Sequence, residues 1–181
     1  MNITIILIAL SLAIDCFVIS ICINSSNKLK KIEYFRIPLH FGLFQLFMTI
    51  IGYYLGSSFK NYIDGFDHWI AFLLLFIIGI KMIIDSLKKE CKEINKINEK
   101  VLIGLSIATS IDALVIGLAF SMIDGGILFN SIIIGIFSFV LSLIGLLIGR
   151  KIRDFNLGFI GIIGGLVLIG IGIKVLLSHI L

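Results

Sequence analysis

Apolar residues run along the chain in long blocks, and polar or charged residues collect in the short gaps between them. Six blocks stand out, at approximately residues 3–23, 37–59, 69–87, 101–123, 129–148 and 155–177. Each approaches the roughly 20 residues that a helix rising about 1.5 Å per residue needs to cross a hydrocarbon core about 30 Å thick. The pattern predicts an all-α, polytopic membrane protein of six transmembrane helices. They form a single transmembrane domain over residues 1–181, with a basic cytoplasmic loop at about residues 88–100 and no soluble domain left over. Composition agrees: the chain is 59% hydrophobic with a single Pro and a mean hydropathy of +1.17, well beyond the roughly 45–50% apolar share of soluble domains. The first block lacks a basic leading region and a small-residue cleavage site, so it is expected to stay as a helix.

Charge adds orientation. Lys28, Lys30, Lys31 and Arg36 lie between the first two blocks, Lys88, Lys89, Lys92, Lys96 and Lys100 between the third and fourth, and Arg150, Lys151 and Arg153 between the fifth and sixth. The alternate gaps carry only Lys60 with Asp64 and Asp67, and Asp124. The positive-inside rule puts the three basic loops in the cytoplasm and both termini outside. The net charge of +4 therefore reports orientation, and no nucleic-acid partner is expected. Cys16, Cys22 and Cys91 show no CxxC spacing, so neither a disulfide framework nor a zinc knuckle is expected.

The two halves of the chain repeat. Residues 9–20, ALSLAIDCFVIS, align with residues 106–117, SIATSIDALVIG, so that Asp15 meets Asp112 and Val18 meets Val115. A shift of 93 residues matches Gly42, Phe44, Gly52 and Gly56 to Gly135, Phe137, Gly145 and Gly149, and carries Gly79-Ile80-Lys81 onto Gly172-Ile173-Lys174. Repeat one covers about residues 1–90 and repeat two about 101–181. With three helices each, the second must be inverted relative to the first, as in transporters whose substrate sites lie at the midplane.

A carboxylate at mid-bilayer costs about 2.5–3.5 kcal/mol on insertion scales and is tolerated where it faces protein or water. Asp15 and Asp112, at equivalent places in two repeats, point to a cation site. Ser11 lies one turn from Asp15, Thr109 one turn from Asp112, and Gln45 in the second block is a further oxygen donor. Carboxylate, hydroxyl and amide oxygens suit Mg²⁺, Ca²⁺ or Mn²⁺, and His40, His68 and His179 all lie away from midplane depth. Cys16 adjoins Asp15 but points about 100° away on an ideal helix and reads as packing. Lys81 and Asp85 stand one turn apart. Two readings remain open for them: an interfacial ion pair with Lys81 snorkelling, or a functional role in which Asp85 receives the ion from the cytoplasm or hands over the coupling proton. Lys174 reads as an outer anchor. The Gly52/Gly56, Gly145/Gly149 and Gly161/Gly165 pairs make small-xxx-small ridges for close helix packing.

SLAIDCFVIS, FGLFQLFM with its following glycine ridge, DHWIAFLLLFIIGIKMI and SIATSIDALVIG together resemble the MntP family of bacterial manganese efflux pumps. The resemblance covers nearly all the chain. It implies an inner-membrane exporter of Mn²⁺, with Asp15, Asp112 and Asp85 as functional carboxylates. The chain departs from the family pattern at Cys16 (commonly Ala), Thr49 (commonly Pro) and Asp85 (commonly Glu). The expected protein is a secondary transporter, not an enzyme. It works by alternating access, one three-helix unit rocking against the other, with protons as the counter-ion. Mn²⁺ is its substrate and no cofactor is permanently bound. The rival readings are an exporter of another cation or small solute, a non-transporting membrane protein, and an intramembrane aspartyl protease. The last usually carries a GxGD pattern that is missing here, since Ala13-Ile14 and Ser110-Ile111 precede the aspartates.

Overall fold

The computed structural model describes residues 3–26, 29–59, 67–88, 97–122, 126–149 and 158–180. All regular structure within them is helical: α1 (Ile3–Ser26), α2 (Glu33–Phe59), α3 (Asp67–Lys88), α4 (Glu99–Met122), α5 (Ile127–Ile148) and α6 (Gly158–Ile180). Helices α1 to α5 are long and apolar enough to cross a membrane, and α6 carries a shorter apolar stretch, Gly161–Leu177. The chain is thus a multi-pass membrane protein. Large apolar side chains such as Phe47, Ile77, Ile111, Ile136 and Leu166 point outward, as a hydrocarbon surround permits.

Helix ends depart from the sequence expectation by about a turn, for local reasons. At the start of α2, the Glu33 carboxylate accepts the Lys30 N–H at 2.6 Å and the Glu33 N–H donates to the Lys30 carbonyl oxygen at 2.9 Å, closing the turn that leads into the helix. The helix therefore begins ahead of Pro38, leaving that residue inside it. Asn98 caps α4, its Oδ1 accepting the Val101 N–H at 2.9 Å. Near this end Glu99 accepts from Arg36 at 3.1 Å and lies 3.4 Å from the His40 ring, tying α4 to α2.

The helices close into a ring in the order α1, α5, α2, α4, α3, α6 and back to α1, with little contact across it between α1 and α4. The most extensive seams are α2 with α4, α3 with α6, and α1 with α5; α2 with α5 is intermediate, and the α1–α6 and α3–α4 seams are slighter. Glycines set the close seams. A Cβ at Gly145 would lie 2.6 Å from the Phe17 carbonyl oxygen and one at Gly149 2.8 Å from that of Ile21, so α5 lies against α1 and runs parallel to it. Gly52 meets Leu114 and Gly56 meets Leu118 in the same way, making α2 and α4 parallel. These residue pairs correspond under the two sequence shifts. Gly79 meets the Gly165 carbonyl oxygen while Gly161 meets Ser86, so α3 and α6 run antiparallel.

Two expectations change. The halves of the chain interleave around the ring, α1 barely touching α2, so neither half is a separate three-helix body that could rock as a unit. The tighter groups are the pair α3–α6 and the four helices α1, α2, α4 and α5. Cys22 is disulfide-bonded, whereas Cys16 is free and buried; the missing CxxC spacing says nothing about bridges between cysteines far apart in sequence. Cys91, most of the basic loop, Asp64, Asp124, and Arg150, Lys151 and Arg153 lie outside the described residues.

Candidate functional site

Asp15 stands twelve residues after Ile3 and eleven before Ser26 in α1, and Asp112 holds a comparable place in α4. Both lie about 15–20 Å from either end of their helices at about 1.5 Å per residue. The two side chains come within hydrogen-bonding reach of each other. Asp112 is only 7% exposed. A bond between two carboxyl groups needs a proton on one of them, because an ionised carboxylate only accepts. A cation lodged between them is the alternative means of relieving their repulsion.

A third group enters from α3. The Lys81 ammonium donates to Asp112 Oδ1 in an ion pair. Asp15 and Asp85 both add electrostatic attraction for the same ammonium. The sequence leaves Lys81 and Asp85 open between an interfacial ion pair and a functional role; the structure gives the ammonium Asp112 as its bonded partner. The helix geometry explains the choice. Side chains on a helix tilt toward its N-terminus, and the N-terminus of α3 is the end away from the basic loop. Lys81 starts about 10 Å from the C-terminal end of α3 and reaches further inward to Asp112. Its side chain is 46% exposed against 9% for Asp112, so the ion pair joins a half-exposed ammonium to a buried carboxylate.

A second polar cluster occupies the other flank of α1 and α4. Gln45 Nε2 donates to the Thr109 carbonyl oxygen at 3.1 Å and to Cys16 Sγ at 3.6 Å. Ser138 and Thr109 also contact the thiol, so Cys16 belongs to a polar group rather than to simple packing. Its neighbours come from α2, α4 and α5, which spacing within α1 could not reveal. Among the described residues Gln45 Oε1 has no hydrogen-bond partner, and Ser138 Oγ none beyond its contact with the thiol.

The candidate ligands therefore divide. Asp15 and Asp112 meet; Asp85 acts on Lys81 from one turn away along α3; Gln45 and Thr109 lie in the neighbouring cluster. The Thr109 hydroxyl donates to the Leu105 and Ser106 carbonyl oxygens at 3.0 Å each, keeping its lone pairs. Ser11 is buried at 2%. Among the described residues no three His, Cys, Asp or Glu side chains converge on one point. Two residues that sequence reasoning passed over also link helices: Ser20 bonds Ser142 at 2.7 Å and Asn24 donates to the Leu146 carbonyl oxygen. Their signal in the sequence was only a polar residue in an apolar block.

A multi-pass helical bundle with paired carboxylates at mid-helix depth belongs to the class of membrane proteins that keep ionisable groups inside the membrane span. Comparison with known proteins narrows the class. A family described as "Putative manganese efflux pump" matches residues 28–176. Proteins named "Putative manganese efflux pump MntP" are similar over nearly their whole length. The one from Gloeothece citriformis is 44% identical over 175 residues, covering 95% of this chain and 93% of its own. That from Dehalococcoides mccartyi is 40% identical over 183 residues, covering 97% and 94%, and a protein from Clostridium botulinum named "Putative manganese efflux pump MntP 2" is 42% identical over 190 residues, covering 98% and 94%. The chain belongs to the MntP family. No solved structure matches it.

Proposed function

We propose that this protein exports a divalent metal cation, Mn²⁺ foremost, from the cytoplasm by alternating access, with protons as the counter-ion. The observation that carries the reading is the meeting of Asp15 and Asp112 deep between α1 and α4. Two carboxylates neutralise one divalent ion while it is out of water. That neutrality matters because each uncompensated positive charge moved out against a 100 mV inside-negative potential costs about 2.3 kcal/mol. Hard oxygen donors without a histidine at this depth suit Mn²⁺ chemically, and the names of the relatives support the same ion. In this reading Ser11, Thr109 and Gln45 supply further oxygen donors from α1, α4 and α2 to complete a coordination shell. When the metal leaves, a proton between the two aspartates restores the hydrogen-bonded pair.

The packing supports a division of moving parts. The α3–α6 pair shifts against α1, α2, α4 and α5, because the seams between these two groups are the slight ones and the carboxylates lie along them. The repeat-related contacts of Gly52 with Leu114 and Gly145 with Phe17 support an inverted repeat with its axis near the aspartate pair. The protein sits in the cell membrane with the basic loops in the cytoplasm and both termini outside.

The test is metal content in cells challenged with excess Mn²⁺, comparing wild type with Asp15→Asn and Asp112→Asn at equal expression. Wild type lowers cellular manganese and both variants fail to. A wild type that leaves manganese unchanged overturns the reading. Proton coupling is checked separately: manganese flux in proteoliposomes that ignores an imposed pH gradient removes it.

A further inference from the structure

Lys81 puts a fixed positive charge where a transporter of cations should least want one. Its ammonium is bonded to Asp112 and attracted also by Asp15 and Asp85, so it competes with any cation for the same carboxylate. The competition is local and asymmetric. Asp112 is buried in α4 while the lysine belongs to α3, across one of the slight seams of the ring. The bond therefore ties the α3–α6 pair to the rest of the bundle. One helical turn from Lys81, on its own helix, stands Asp85. Residues four apart on a helix lie about 5–6 Å apart at Cβ, and the Asp85 side chain tilts back toward the Lys81 turn, so the lysine stem can serve either acid by rotating about its own bonds. The charges also balance in only one arrangement. Three carboxylates and one ammonium carry two net negative charges, which one divalent cation cancels. With that cation on Asp15 and Asp112, the charges left over are Lys81 and Asp85.

We propose that Lys81 is a two-position counter-cation: it holds Asp112 while the metal site is vacant and passes to Asp85 when a divalent cation takes the Asp15–Asp112 pair. The proposal rests on the metal reading of that pair. Passing to Asp85 releases the α3–α6 pair from α4 when the metal is bound, so the loaded carrier rearranges. The empty carrier resets when the proton shared by the pair sits on Asp112, which then no longer holds the ammonium as an ion pair. Lys81 is thus a positioning residue, and Asp85 is its alternative partner rather than a third ligand, in keeping with the lack of a three-carboxylate cluster among the described residues.

The experiment is a double-mutant cycle on the full-length purified protein, with Mn²⁺ affinity read from the loss of the free-ion electron paramagnetic resonance signal. Removing the competitor in Lys81→Met tightens Mn²⁺ binding about tenfold or more, the scale of one charge-assisted hydrogen bond. Asp85→Asn weakens binding about tenfold beside Lys81 and much less in the Lys81→Met background. In proteoliposomes Lys81→Met lowers KM and also lowers kcat, a split that a merely destabilised protein would not produce. Should Lys81→Met fail to accumulate, Lys81→Gln carries the same expectation. Unchanged or weaker binding in the uncharged variants overturns the proposal. So does an Asp85→Asn effect of equal factor in both backgrounds, which is what a simple long-range field predicts. If wild type itself binds no Mn²⁺, the metal reading falls and the lysine exchange with it; if wild type binds but the cycle shows no coupling, only the exchange falls.

Discussion

A close backbone approach between α2 and α4 gives a direct test of the ring. At Gly52 in α2 an added Cβ would run into the backbone carbonyl of Leu114 in α4, with the Leu114 Cα only 3.1 Å away. An ordinary carbon contact is about 3.5–4.0 Å, and a backbone carbonyl cannot swing aside as a side chain does. Gly52→Ala must therefore push α2 and α4 apart. Overpacking of this kind costs typically about 1–3 kcal/mol, and a rigid backbone obstacle puts this site at the upper end. Alanine's better helix propensity returns at most about 1 kcal/mol, leaving a net loss of about 2 kcal/mol. For a chain of this size that lowers the melting temperature by roughly 4–8 °C. Among the described residues Gly104 in the same helix pair has nothing within 4 Å of its would-be Cβ, so Gly104→Ala is neutral or slightly stabilising. The assay is thermal unfolding of the purified protein in detergent at a fixed scan rate, with wild type and both variants side by side. Gly52→Ala melting with wild type, or Gly104→Ala falling as far as Gly52→Ala, would refute the α2–α4 packing.

Other expectations follow from the polar links. Ser20→Ala removes the bond to Ser142, and since interhelical hydrogen bonds in membranes average about 0.6 kcal/mol, it lowers stability by less than about 1 kcal/mol in an equilibrium unfolding measurement. Glu99→Gln weakens the half-exposed contacts to Arg36 and His40; surface pairs are worth about 0–1 kcal/mol, so any shift in melting temperature is small and shrinks further in high salt. A protein whose sole cysteine is Cys16, fully buried, resists maleimide in the folded state and labels on unfolding; rapid labelling of the native protein contradicts the Gln45–Thr109–Ser138 surround.

Much of the protein was legible in its sequence because the determining physics is local. Hydropathy over about 20 residues is enough to set the spans, and the placement of helices α1 to α6 follows it to within about a turn. The depth of Asp15 and Asp112 follows from counting residues along a helix. Their equivalence follows from comparing two stretches of sequence. None of these inferences needs to know which helix touches which.

What the tertiary structure decided is the neighbour of each face. In water the buried side of a helix is marked by its apolar stripe, but lipid is as apolar as a protein core, and packing there follows shape, small residues and hydrogen bonds. Helices α1, α2 and α4 are apolar nearly all round, so their sequences could not say that α1 lies on α5, that Gly52 seats on Leu114, or that Cys16 meets Gln45. The same limit applied to Lys81. Its helical neighbour Asp85 was visible four residues away, whereas Asp112 became its partner only once α3 lay beside α4 and the tilt of the side chain carried the ammonium inward. Sequence alone fixed where charge enters the membrane span; the packing of helices decided which charges meet.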